Sequence, residues 1–356
     1  MERYDFALVG GGIVGACLAE ELAGAGASVT VLDAGAEPGH ATNRAAGVAV
    51  PSLRYLADPE LYGWLQWGRG RLAADIDRLE PAHAPFSVPS PILRALRTVD
   101  VEAVAAHLDA PGHGEWIEVE KLASVAPGLR LPADRHYLFD RAGLMVDGRR
   151  YLAAVHHNCL AAGVRWRQGV TVAAADGGEL RTSAGAVHAD RVVVTAGAWS
   201  AAAGLAGGAP VYPQRGQLAV LRTGADLTCI LSSAFYLAPG VNGGVVVGAT
   251  EEDAGFDDRC TVAGISRLLR FAATAMPELA DASPVELRAG LRPASRTGRP
   301  LVGRVPGHDR LYLAAGHAGH GLLSARGTAE GLAAGLVRDD WDALPESFCP
   351  SRALEA

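Results

Sequence analysis

Gly10, Gly12, Gly15 and Asp33 are the residues whose types and spacing first suggest chemistry. The glycines follow the order G-x-G-x-x-G within Gly10-Gly11-Gly12-Ile13-Val14-Gly15, and Asp33 lies about 20 residues further on. Such a set can hold the pyrophosphate of a dinucleotide. The first glycine permits a tight turn, the second lets backbone N–H groups approach the phosphates, and the third lets a helix pack close on a strand. The helix N-terminus adds unpaired N–H donors and partial positive charge. A carboxylate at the position of Asp33 can accept hydrogen bonds from ribose hydroxyls. These residues alone do not distinguish NAD from FAD.

The elements that must position them are legible on either side. Residues 4–9 read as a buried parallel strand, because Phe6, Ala7, Leu8 and Val9 form an unbroken apolar run. Residues 16–24, rich in Ala, Leu and Glu, predict a helix, and residues 28–32 a second strand that ends at Asp33. A glycine-rich turn can join any strand to any helix. Strand, turn, helix, strand and acid in that order specify a dinucleotide site.

Other chemistries lack their residues. Lys121 is the single lysine, so a Walker A phosphate loop has none to use. The five cysteines (Cys17, Cys159, Cys229, Cys260 and Cys349) form no CxxC pair, which argues against a zinc ribbon, a dithiol centre and a disulfide scaffold. The net charge of −7 disfavours nucleic acid or an anionic membrane surface as partner. Apolar runs stop short of a membrane span, and no basic leader precedes the first strand. A soluble, cytoplasmic protein is expected. Its 356 residues, 49% of them apolar and 20% charged, suit about two globular domains.

Beyond the second strand, residues 40–54 read as a small-residue loop, 58–80 as a helix, and the Pro-rich stretch 81–92 as a linker. Residues 100–145 mix short helices and strands. Residues 151–162 predict a helix, and 164–175 and 186–195 strands. Residues 211–221, 235–239 and 245–250 read as antiparallel strands, 265–275 as a helix, 311–315 as a buried strand, and 327–337 as the last helix. Parallel β/α units thus bracket a β-rich middle, which suggests an insertion.

Four segments, in order, carry a resemblance. They are Gly10 to Gly15 with Asp33; Ala189-Asp-Arg-Val-Val-Val-Thr-Ala-Gly197-Ala-Trp199; Pro210-Val-Tyr-Pro-Gln-Arg215-Gly216-Gln217, extended by Tyr236 and by Val247-Gly-Ala-Thr250; and Ala289-Gly-Leu-Arg292-Pro293 with Ala315-Gly316-His317-Ala-Gly319-His320-Gly321. Together the chain resembles the D-amino-acid oxidase family of FAD-dependent amine oxidases, most of all its glycine oxidases, with the sarcosine oxidases next. The resemblance implies an α/β fold: a Rossmann-type FAD-binding domain (residues 1–83, 141–211 and 296–356) with an inserted β-rich substrate domain of mixed sheet and helices (84–140 and 212–295). It implies hydride transfer from a small amine or amino acid to flavin N5, giving an imine, with O2 reduced to H2O2. A dehydrogenase using another acceptor, and a non-catalytic nucleotide-binding protein, stay open as alternatives. So does self-association into a homo-oligomer.

The same resemblance distributes roles. FAD falls to Gly10, Gly12, Ile13, Val14, Gly15 and Asp33; to Arg44, Ala45, Ala46 and Gly47; to Val172, through a backbone contact with adenine; to Gly197 and Trp199; and to Gly319, His320, Gly321 and Leu322. The loop and helix start over residues 316–325 would turn backbone N–H groups toward charge developing on the flavin. Arg292 would clamp a substrate carboxylate, whose two oxygens match the guanidinium fork. Tyr236 would assist through its hydroxyl, and His320 would fill part of the pocket. Arg44 stands where some relatives carry a flavin-linked histidine, and no cysteine lies near Arg292, so a non-covalent FAD is expected, with Arg44 near the flavin or its phosphates. Glycine oxidases place an arginine where this chain has Gly319. Arg292 is therefore expected to be the one cation left for the carboxylate.

Overall fold

The buried run Phe6–Ala7–Leu8–Val9 ends the first strand, Arg3–Val9, which lies in the middle of an eight-stranded sheet. Val29–Asp33 and Gly185–Val194 pair with it in parallel on either side. Arg165–Gln168 and Leu311–Ala315 extend the parallel set, and Leu301–Arg304 closes one edge antiparallel. Strands buried on both faces read as continuous apolar runs, which is why residues 6–9, 29–32 and 311–315 lack alternation. The computed structural model describes residues 2–35, 40–106, 114–176, 178–201, 205 and 208–355. Residues 107–113, part of the mixed stretch expected over 100–145, lie outside these.

On one face of this sheet the helices Ile13–Gly24, Pro59–Leu79, Gly148–Ala161 and Gly321–Arg338 share a core with it that includes Leu18, Leu65, Tyr151 and Leu332. A second core, with Val194, Leu180, Leu205 and Leu313, fills the opposite face.

The second sheet also has eight strands, ordered Ser283–Ser295, Val211–Arg222, Val245–Gly248, Tyr236–Pro239, Ile230–Ser232, Ile92–Leu96, His136–Asp140 and Glu115–Ile117. Ile230–Ser232 runs parallel to Ile92–Leu96 and the other neighbours are antiparallel, so the sheet is mixed. The helix Val262–Ala275 packs its apolar face on it through Ile265, Leu268 and Ala272. This is the α/β dinucleotide fold with a β-rich second sheet that the resemblance implied.

Three local readings need revision. The last long helix begins at Gly321, not at residue 327. Its internal glycines look like breakers in sequence, but each makes room for a neighbour. A Cβ at Gly327 would meet the Trp67 ring at 2.5 Å, and one at Gly335 the Trp341 ring at 2.5 Å. The stretch read as a linker holds the strand Ser87–Pro89 and the start of Ile92–Leu96. The strand Ser283–Ser295, which carries Arg292, escapes the periodicity because Pro284, Gly290 and Pro293 interrupt it.

Candidate active site

The glycine turn is held by its neighbours. Gly10 has φ +113°, a region L side chains rarely adopt, and a Cβ there would sit 2.6 Å from the Thr195 carbonyl oxygen. A Cβ at Gly15 would lie 2.2 Å from the Gly10 carbonyl oxygen. That contact explains the third glycine: it brings the helix Ile13–Gly24 against the strand end. Thr195 Oγ1 donates to the Gly10 carbonyl at 2.7 Å. Asp33 is buried and its Oδ2 accepts from Gly11 N–H at 2.6 Å. Its Oδ1 accepts from Gly35 N–H at 2.9 Å and from Gln168 Nε2 at 3.0 Å. The acid therefore braces the turn as well as facing the cavity.

From this turn a continuous cavity of about 820 Å³ runs to the underside of the second sheet. Gly10, Gly12, Ile13, Val14 and Asp33 line one end, and Val172 the same region. Gly15 lies behind the wall. Ala45, Ala46 and Gly47 line the middle, with Gly197 and Trp199 beside them. Gly47 also has positive φ, +91°, and a Cβ there would fall 2.2 Å from the Val146 carbonyl oxygen. Arg44 lines the cavity as well, but its guanidinium is taken up by Asp258, at 2.6 Å, and by His40. Both bonds are made by Nη1, to partners that the sequence does not reveal. Gly319, His320, Gly321 and Leu322 line the wall where the N-terminus of the eighteen-residue helix Gly321–Arg338 meets the cavity.

The far end is built on the two long paired strands. Arg292 lies opposite Gln214 in the ladder, and Gly216 is two residues along on the same face. Having no side chain, Gly216 seats the Arg292 guanidinium flat: a Cβ there would be 2.5 Å from both Nη1 and Nη2. Arg292 Nη1 donates to the Thr250 carbonyl at 3.0 Å, and Arg292 lines the cavity. Arg215 and Gln217, from the same motif, serve the structure instead, both bonding Glu252. Tyr236 lines the cavity near Arg292, and burial pushes its phenol up to about 12, against the opposing pull of Arg292. It is a hydroxyl donor throughout the neutral range. His320 packs edge-on against Tyr55, with ring centroids 5.2 Å apart. Desolvation, then the charges of Arg54 and Arg292, lower its imidazole to about 4, so it is neutral at pH 7. Beside Gly319 there is space: a Cβ would meet only Arg292 Cδ and Nε, at 3.9 Å.

Arg54 and Glu251 also line the cavity, with Arg54 Nη2 donating to Glu251 Oε1 at 3.2 Å. Arg292 is therefore not the one cation in the chamber. No local pattern marks Arg54, which follows a short loop and reaches the chamber only through tertiary folding. Among the described residues no group of three His, Cys, Asp or Glu could hold a metal ion, and no helix is long and apolar enough to cross a membrane.

A parallel sheet, a glycine cradle with a buried acid, and an enclosed chamber under a second sheet define a dinucleotide-dependent oxidoreductase. The cavity fits FAD: it continues past the pyrophosphate cradle and a helix N-terminus to a guanidinium-bearing chamber. A family model described as FAD-dependent oxidoreductase (DAO) matches residues 5–335. Glycine oxidase of Pseudomonas aeruginosa is 30% identical over 89% of this chain and 90% of its own length. Among solved structures, glycine oxidase of Geobacillus kaustophilus superposes with TM-score 0.91, at 25% identity over 99% of both chains. Iminodiacetate oxidase of Chelativorans sp. BNC1 superposes with TM-score 0.85, at 30% identity over 97% of this chain and 98% of that one. The chain belongs to the DAO family of FAD-dependent oxidoreductases, and FAD is its cofactor.

Proposed function

We propose that the protein oxidises the C–N bond of a small α-amino acid to an imine, with O2 reduced to H2O2. The observation that carries this is Arg292. One of its N–H groups serves Thr250, and the flat guanidinium rests on Gly216 inside the same cavity that begins at the glycine cradle. Such a fork binds a carboxylate with two charge-assisted bonds. Tyr236, protonated at neutral pH, supplies a further donor to that carboxylate. Bound FAD supplies the two-electron acceptor. The protein's task is to present the α-carbon, exclude water and admit the amine in its neutral form, and neutral His320 adds no cation against it. The imine then hydrolyses in water to a carbonyl compound and the freed amine.

In this reading the residues of the glycine turn, Arg44 to Gly47, Val172, Gly197, Trp199 and Gly319 to Leu322 hold the FAD, and Arg292, Tyr236 and His320 meet the substrate. Arg44, at the position of the flavin-linked histidine of some relatives, cannot form that bond, which supports non-covalent FAD. The division into a cofactor domain (1–83, 141–211, 296–356) and a substrate domain (84–140, 212–295) belongs to the same proposal and is supported by the membership of the two sheets. Similarity to glycine oxidases and to an iminodiacetate oxidase supports a glycine-type substrate with a primary or secondary amine. Oxygen uptake tests the acceptor. One H2O2 per imine formed is expected, whereas turnover that requires an added dye and leaves oxygen untouched would make the protein a dehydrogenase.

A further inference from the structure

Arg292 and Arg54 stand in one chamber, and a single carboxylate needs only one of them. Arg54 lines the cavity from the short 3-10 turn Leu53–Tyr55, and Arg292 from the second sheet. His320 and Tyr236 lie with them: the Tyr55 ring, adjacent in sequence to Arg54, meets the His320 ring edge-on, and a Cβ at Gly319 would lie 3.9 Å from Arg292 Nε. The one carboxylate among these charged groups is Glu251, so the side-chain charges of Arg54, Arg292 and Glu251 leave the chamber with an excess of one positive charge. An α-amino acid with one carboxylate engages one of the two guanidinium groups, and one that brings a second carboxylate engages both.

Glu251 does not tie Arg54 down. Their contact is 3.2 Å long, and the two side chains are 60% and 46% exposed, a geometry in which ion pairs contribute little. A substrate carboxylate competes with it by taking two charge-assisted bonds from the fork in place of one. The open volume beside Gly319 lies next to Arg292, so a substrate anchored there has room to extend.

We propose that the substrate is an amino acid carrying two carboxylates, the α-carboxylate held by Arg292 and the second, on the nitrogen substituent or side chain, held by Arg54. This rests on the amine-oxidation reading and specifies its substrate class. Arg54 then determines specificity by touching the substrate directly, and Glu251 is only its loose partner before substrate arrives.

Matched pairs that differ by one carboxylate test it on the holoenzyme: N-methylglycine against iminodiacetate, and D-alanine against D-aspartate. The wild type should favour the dicarboxylate of at least one pair by tenfold or more in kcat/KM. Arg54→Gln should erase that preference, lowering kcat/KM for the dicarboxylate at least tenfold more than for the monocarboxylate. A binding readout independent of turnover uses thiodiacetate, which has two carboxylates and no amine, against (methylthio)acetate. Perturbation of the flavin spectrum should report tighter binding of the diacid, lost in Arg54→Gln and enhanced in Glu251→Gln. Several outcomes would overturn the proposal: preference for the monocarboxylate in both pairs, preference for a substrate with a distal cation, or an Arg54→Gln variant that loses both partners of a pair equally. If amino acids reduce the flavin without such a preference, this inference fails alone. If no amine reduces it, the oxidation reading fails first and takes this inference with it.

Discussion

Single residues in the chamber are set by what surrounds them more than by their type. His317 shows this. It lines the cavity, is buried, and lies with Nε2 3.1 Å from Thr328 Oγ1. Burial, and then the neighbouring His320, lower its imidazole to about 4. In the unfolded chain a histidine titrates near 6.5. Between these values the unfolded state binds more protons than the native state, so stability rises with pH across that window and is fully present above it. His317 should therefore cost the fold about 3 kcal/mol as pH falls from about 6.5 to 4. Thermal midpoints followed against pH should decline over that range in the wild type and less steeply in His317→Asn. Equal slopes would show that the histidine is not held neutral by its site. None of this is readable from the sequence, where His317 and His320 are two histidines in a glycine-rich loop. Arg44 teaches the same lesson: it lines the cavity, and its partner Asp258, far along the chain, is visible only in the fold.

At the scale of elements, what could be read from sequence was what is local. The first strand, the glycine turn, the helix and the strand ending in Asp33 carry their own signals: an apolar run, three spaced glycines, a helical composition. The cavity residues they supply lie in the expected places. The wall opposite them depends on pairing between segments roughly 70 residues apart, Val211–Arg222 with Ser283–Ser295, and only that pairing puts Gly216 under Arg292. Periodicity cannot show it. Glycines are ambiguous in the same way, since Gly327 and Gly335 of the helix Gly321–Arg338 pack against aromatic rings and do not end the helix. The distinction yields a prediction within one helix. Gly15→Ala places a methyl group against the Gly10 carbonyl and should leave the purified protein with less than about a tenth of its flavin, whereas Gly24→Ala, with nothing within 4 Å, should keep the full complement. The flavin-to-protein absorbance ratio checks both. Full flavin in Gly15→Ala would contradict the close packing of helix on turn.

At the scale of the whole molecule, one buried charge network fastens the helical layer. Arg326 donates through Nε to Asp75 at 2.7 Å, through Nη1 to Glu21 at 2.6 Å, and through Nη2 to Glu20. Tyr151 donates to Asp75 at 2.6 Å, and Arg78 bridges Asp75 and Glu20. Four helices, Ile13–Gly24, Pro59–Leu79, Gly148–Ala161 and Gly321–Arg338, meet there, and two of them begin at the cavity wall. Removing one partner strands a buried charge, so Arg326→Leu should cost about 3–5 kcal/mol in urea unfolding, far more than a typical surface change. A loss within measurement error would mean the network is hydrated and not a tie between helices. Its members are scattered through the sequence as ordinary charged residues, which is why no motif announced them.

The central claim is that Arg292 presents an amino acid to the bound flavin, and anaerobic mixing tests it most directly. With oxygen excluded, an α-amino acid from a panel including glycine, N-methylglycine and iminodiacetate should bleach the visible flavin absorbance of the wild type. The same substrate should reduce Arg292→Ala about a hundredfold less efficiently, equivalent to about 3 kcal/mol of lost carboxylate binding. A flavin that keeps its colour with every amino acid, or an Arg292→Ala variant reduced as readily as the wild type, would contradict it.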